Sequence, residues 1–224
     1  MSQPSFTNLI CLGDSITACG RLFDAPPLGN GYVKLLKERL QKENPSVSVT
    51  NFGFDGFTAP RLLDAVQAQG LLNLAKNMLS VFTILVGIND IGLMMNTCGT
   101  EEQKARHMAK FTESISNLIE LLFPEAQGIL LLEPFIFPCP QEYLSWLPLQ
   151  KAVSDILKKT AAEYKLPYIL LQSDFLNAAE HCGYEALTTD GVHLTAFGHE
   201  ILAQKLWNVL STLARSPLPP EAPA

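Results

Sequence analysis

Five short apolar runs, each separated from the next by a stretch of helical periodicity, constrain this chain more than any other feature. They fall at residues 8–12, 47–52, 82–86, 129–132 and 168–171, are rich in Ile, Val, Leu or Phe, and are bounded by Gly, Pro or Asn. Runs so short, and apolar at successive rather than alternate positions, fit strands covered on both faces. Residues 32–41, 59–78, 101–123, 147–164 and 195–213 instead carry apolar side chains at helical spacing. In the first of these Tyr32, Val33, Leu35, Leu36 and Leu40 oppose Lys34, Lys37, Glu38 and Arg39. Buried strands alternating with amphipathic helices predict an α/β fold, a three-layer αβα sandwich around a central five-stranded parallel sheet.

The composition supports one such domain and excludes several functions. With 224 residues, 47% of them hydrophobic, the chain fills one core and is short for two. We expect a single domain over residues 1–215. A disordered tail is expected over 216–224, where Pro217, Pro219, Pro220 and Pro223 prevent a helix. Sixteen Lys and Arg against 22 Asp and Glu give a net charge of −6 with no basic stripe, which argues against a nucleic-acid partner. Cys11, Cys19, Cys98, Cys139 and Cys182 are odd in number and contain no CxxC, so neither a disulfide framework nor a zinc knuckle is expected. No apolar run reaches the ~18 residues of a membrane span, and no secretory signal is seen at Met1. The expected setting is cytoplasmic.

Four polar motifs punctuate this pattern. Gly13-Asp14-Ser15-Ile16-Thr17 follows the first run; Thr17 stands where the GxSxG elbow would need its second glycine. Asn51-Phe52-Gly53-Phe54-Asp55-Gly56 closes the second run, and Gly87-Ile88-Asn89-Asp90 follows the third. Asp190-Gly191-Val192-His193 precedes the last helical stretch. Each motif alone is ordinary turn chemistry, since Gly, Asn, Asp and Ser are the usual turn formers. Together they fall at the carboxyl ends of strands or just before the final helix, and so converge on one edge of the sheet. An Asp three residues before a His can fix the imidazole tautomer, and Gly and Asn can supply oxyanion donors.

In type, order and spacing these blocks resemble the GDSL or SGNH hydrolases, over residues 8 to about 213. The resemblance implies their flavodoxin-like fold, Ser15 as nucleophile, His193 as base and acid, and Asp190 as its orienting partner. It also implies an oxyanion hole of the Ser15 and Gly56 N–H groups and the Asn89 amide, with no metal or organic cofactor. Gly56 is chosen over Gly53 because the family glycine lies five residues after the strand-ending Asn, here Asn51. Residues 13–17, Gly20-Arg21 and Leu28-Gly29-Asn30-Gly31-Tyr32-Val33 resemble the bacterial acetylxylan-esterase branch. Thr189 and Leu194 depart from it, standing where that branch carries an aromatic and a proline.

A small ester is therefore the expected substrate, with an acetylated oligosaccharide foremost. A lysophospholipase, acyl-thioesterase or arylesterase would use the same triad. A metal-dependent phosphoesterase recruiting Asp14, Asn89, Asp190 and His193, or a non-catalytic binding module, stands further off. Expected substrate contacts are Asp14, Arg21, Phe54, Ile91, Tyr143 and Trp146, with Phe57, Met94, Met95 and Phe135 in the same loops. Asp14 also fits a structural turn, and Arg21 an ion pair holding the Ser15 loop. The apolar loops, residues 135–148 among them, fit a pocket wall, a lid or a homo-oligomer contact. Asp90 is expected to fix the Asn89 loop. His107, His181 and His199 show no ligand spacing and read as surface or helix residues. The −6 charge suits neutral esters, unless a local Arg or Lys reverses it at the site.

Overall fold

The computed structural model describes residues 6–213, so the expected tail at 216–224 lies outside the described residues. Its strands are β1 (Asn8–Gly13), β2 (Ser48–Gly53), β3 (Ser80–Leu85), β4 (Ala126–Leu132) and β5 (Tyr168–Ile169). They form one parallel sheet in the order β2-β1-β3-β4-β5. The helices are α1 (Ser15–Ala18), α2 (Tyr32–Glu43), α3 (Ala59–Ala68), α4 (Leu72–Ala75), α5 (Ile88–Thr97), α6 (Glu101–Leu122), α7 (Leu147–Glu163), α8 (Gln172–Cys182) and α9 (Ala196–Leu213). Helix α2 packs on α9, while α6 packs on α3, α5 and α7, giving the expected sheet flanked by helices.

The central strands β1 and β3 are buried along their whole length, as unbroken apolar runs require. The strands beside them are open at their starts and buried at their carboxyl ends. Register then places the site. Gly13 of β1 lies level with Gly53 of β2 and Leu85 of β3, so three successive loops leave the sheet side by side. Strand β1 is also where the strand order reverses, the crevice in which open α/β sheets bind ligands.

Several expected elements differ. The stretch 59–78 is two helices, because Gly70 turns the chain at a φ of +64° between α3 and α4. Helix α5 starts inside the Gly87-Ile88-Asn89-Asp90 motif, which looked like a loop; Ile88, Ile91 and Met94 give it a buried face. Helix α8 had little periodic signal, as only Phe175 and Ala179 of its residues are buried. The Gly13–Thr17 motif, ordinary turn chemistry by its residues, runs directly into the short helix α1. Among the described residues no helix is long and apolar enough to cross a membrane.

Candidate active site

The Ser15 end is assembled from the sheet outward. Asp14 caps α1, accepting a hydrogen bond from the Ile16 N–H at 3.0 Å, and so sets Ser15 as the first helical residue. Gly13 is required beneath it: a Cβ there would lie 2.2 Å from Thr17 Oγ1 and 2.4 Å from the Leu85 carbonyl. From β2, the buried Asn51 Nδ2 donates to the carbonyls of Thr17 at 2.7 Å and Leu28 at 2.6 Å. Its Oδ1 accepts from the Gly53 N–H at 2.9 Å. One side chain thus ties the end of α1 and the following loop to the neighbouring strand.

The His193 end is a surface loop that bonds to itself. Thr188 Oγ1 and the Thr189 N–H both donate to the His193 carbonyl, at 2.8 and 2.9 Å. The Phe137 N–H donates to the Gly191 carbonyl at 2.9 Å and docks this loop on the segment after β4. Asp190 Oδ1 accepts from the N–H groups of Val192 at 2.9 Å and His193 at 2.7 Å. Its Oδ2 lies 2.6 Å from His193 Nδ1, so that nitrogen carries the proton and Nε2 is left as an acceptor. Ser15 Oγ donates to Nε2 across 2.9 Å. Burial pushes the Asp190 carboxyl up, but bonds from the His193 ring and from the His193 and Val192 N–H groups outweigh it. They hold the carboxyl below the usual carboxylate range.

Around Ser15, Gly56 turns at a φ of +70° and faces open space, whereas a Cβ on Gly53 would meet the Ala18 nitrogen at 2.3 Å. Among the described residues neither the Ser15 nor the Gly56 N–H has a hydrogen-bond partner. Asn89, in the first turn of α5, donates one Nδ2 hydrogen to the Phe57 carbonyl at 3.0 Å, which leaves the second hydrogen free. The arrangement can polarise a hydroxyl through an imidazole and present N–H donors to an anionic oxygen beside it.

Two clefts flank these groups, and both are lined by Gly56, Asn89 and His193. The first, of about 600 Å³, runs between α3, α5 and the 135–148 segment, with Thr58, Arg61, Asn96, Thr97, Tyr143 and Trp146 in its walls. The second, of about 680 Å³, lies over α1 and is lined by Ser15, Cys19, Asp24, Asn30, Asp55 and His199. Thr58, Arg61, Asn96 and Thr97 lie outside the positions that the sequence motifs mark. Only the proximity of Thr58 and Arg61 to Gly56 hinted at them.

Several expected positions need correction. Asp14 is 1% exposed and serves as a cap rather than a contact; burial raises its carboxyl to about 7. Ile91, Met94 and Phe135 are buried in the core, facing away from the clefts. Arg21 makes no ion pair among the described residues: its Nε donates to the Gly53 carbonyl at 2.6 Å and its guanidinium covers the Phe54 ring at 4.4 Å. Phe54 in turn stacks on Phe57, so both brace the Gly56 turn. The Asp90 carboxylate accepts from the Ala59 N–H at 3.1 and 3.2 Å and so fastens the first turn of α5, which carries Asn89, to the start of α3. His199 is 4% exposed, accepting from the Tyr32 N–H at 3.3 Å while its Nε2 faces Cys19 Sγ at 3.3 Å. Burial, with His193 nearby, lowers its pKa to about 4. His107 and His181 are exposed. Among the described residues no three His, Cys, Asp or Glu side chains gather to hold a metal ion.

Known proteins match this chain and its fold. The model of the GDSL-like lipase/acylhydrolase family matches residues 11–201. An acetylxylan esterase from Geobacillus stearothermophilus superposes with a TM-score of 0.76 at 26% identity, covering 94% of this chain and 96% of that one. An α/β hydrolase from the metagenome of Lake Arreo, Spain, shares the fold at a TM-score of 0.76 and 24% identity, covering 92% and 96%. No curated protein sequence matches. With its family blocks at one edge of a five-stranded parallel sheet, the chain belongs to the GDSL-like lipase/acylhydrolase family and is a carboxylic ester hydrolase.

Proposed function

We propose that this protein is a carbohydrate O-acetyl esterase working through Ser15, His193 and Asp190. The observation that carries the mechanism is the unbroken relay from Ser15 Oγ to His193 Nε2 at 2.9 Å and from His193 Nδ1 to Asp190 Oδ2 at 2.6 Å. Ser15 Oγ attacks the ester carbonyl while Nε2 takes its proton, and the C=O becomes an oxyanion. The free N–H groups of Ser15 and Gly56 and the second Asn89 hydrogen receive that charge; one such donor is typically worth about 3 kcal/mol. His193 then gives its proton to the leaving alcohol. A water activated by the same nitrogen cleaves the acyl-enzyme, releasing the acid and restoring Ser15. Asp190, kept ionised, holds the tautomer and offsets the imidazolium charge. Every step uses protein groups and water.

The sugar substrate rests on the likeness to the Geobacillus stearothermophilus acetylxylan esterase and on the first cleft, whose lining combines the aromatic Tyr143 and Trp146 with the polar Asn96 and Thr97. Cleft volumes of about 600 and 680 Å³ exceed an acetyl group, which keeps a longer-chain acyl esterase as the second reading.

Two assays test these points. Ser15→Ala should lower kcat/KM on an aryl acetate by roughly 10⁴-fold or more and abolish labelling by a fluorophosphonate. Undiminished turnover would remove Ser15 from the mechanism. Rates on acetylated xylo-oligosaccharides should exceed those on p-nitrophenyl esters of eight or more carbons. The reverse order would replace the sugar reading by the long-chain one.

A further inference from the structure

The two clefts beside the reacting groups differ in the sign of their charge. Among the described residues the second is lined by Asp24 and Asp55 and by no Lys or Arg. The first carries Arg61 as its cation; its acid, Asp190, is already committed to the His193 ring and two backbone N–H groups. Among the described residues Arg61 has no carboxylate partner, unlike Arg39 with Glu200 or Lys205 with Asp174. Its guanidinium is not loose: Cζ lies 4.6 Å from the centroid of the Phe57 ring. Phe57 also accepts the Asn89 Nδ2 hydrogen at 3.0 Å, so the cation is tied to the same residue as a proposed oxyanion donor. Tyr143 and Trp146, with ring centroids 4.7 Å apart, line the same cleft.

We infer that Arg61 is a specificity-determining residue that receives a carboxylate on the substrate, so that the preferred ester is an acetylated sugar bearing a uronate group. This inference rests on the esterase reading of Ser15. A fixed planar fork binds a carboxylate through two parallel N–H···O bonds, and stacking on Phe57 leaves the guanidinium edge free to do so. An anionic substrate is also oriented, since its carboxylate is attracted by Arg61 and repelled by Asp24 and Asp55. The net charge of −6 therefore does not describe the cleft.

The test compares kcat/KM for two matched pairs: an O-acetylated methyl glucuronide against the corresponding methyl glucoside, and 4-acetoxybenzoate against 4-acetoxybenzamide. The native enzyme should favour the anionic member of each pair it cleaves by roughly tenfold, the size of a charge-assisted contact, mainly through KM. That ratio should shrink in 0.5 M salt, fall to near one in Arg61→Gln, drop below one in Arg61→Glu, and be partly kept in Arg61→Lys. A merely structural Arg61 would alter both members alike. A native ratio near one in every cleaved pair, or a ratio unmoved by Arg61→Glu, overturns the proposal. Turnover of the aryl pair alone, with an Arg61-dependent ratio, upholds the carboxylate subsite and overturns the uronate sugar. Retained turnover in Ser15→Ala is the separate failure of the esterase mechanism.

Discussion

The two halves of the proposed triad are held in opposite ways. Ser15 stands on the sheet: Gly13 lies level with two neighbouring strands, Asp14 is buried beneath it, and Asn51 straps α1 from the next strand. His193 and Asp190 stand on an exposed loop, with side chains 48% and 50% accessible, fixed mainly by hydrogen bonds within residues 188–193. The nucleophile's place is thus a property of long-range packing, and the base's place a property of local turn chemistry. Damage to the first half should spread through the fold, while damage to the second should stay in the site.

That contrast can be broken by substitution. The largest effect is expected from Asp190→Asn, which keeps an acceptor for the backbone N–H groups but turns an amide toward His193 Nδ1. Steady-state kinetics should show a loss of about 10⁴-fold in kcat, with an unfolding midpoint shifted hardly at all. A large loss of stability would mean that the loop is more than local. Asn51→Ala should do the opposite. It leaves the Thr17 and Leu28 carbonyls and the Gly53 N–H without their partner, a cost of roughly 3 kcal/mol visible in urea unfolding, along with weakened activity. Unchanged stability would show that Asn51 is no strap.

The smallest effect concerns Asp14. Burial raises its carboxyl from 3.8 to about 7, so the folded chain holds this proton more tightly than the unfolded one. Between about pH 4 and 7 the folded state therefore binds more protons, and stability falls as pH rises through that window. Asp90, also raised to about 7 by burial, contributes in the same direction. Asp14→Asn should make the decline shallower without removing it, which melting temperatures at pH 5 and pH 8 would reveal. An unchanged slope would mean that Asp14 is ionised in the fold.

Strands and motifs were legible because each rests on local information. Apolar runs announced β1 to β4 within a few residues, and the polar blocks marked the carboxyl edge. Directions of side chains were not legible where a helix start was missed. Once Ile88 begins α5, each residue advances about 100°, so Asn89 can face the cleft while Ile91, two positions on, points into the core. Arg61 was hidden for a related reason: on α3 it looked like any solvated helix charge. Its meaning comes from Phe57 beneath it and, among the described residues, the absence of a carboxylate partner, neither of which spacing displays. In the sequence the buried strap Asn51 stands only as the strand-ending residue from which Gly56 is counted.

The level row of Gly13, Gly53 and Leu85 makes the sheet a ruler for the chemistry above it. Ser15, Gly56 and Asn89 lie two, three and four positions past that common line. Each loop residue can extend the chain by up to about 3.5 Å, more than the length of a hydrogen bond. Adding or deleting a single residue in any of these loops would therefore carry its proposed catalytic group out of range of the other two. The outer rims of the clefts carry no such constraint and can lengthen or vary, so one chemistry can be fitted to different esters.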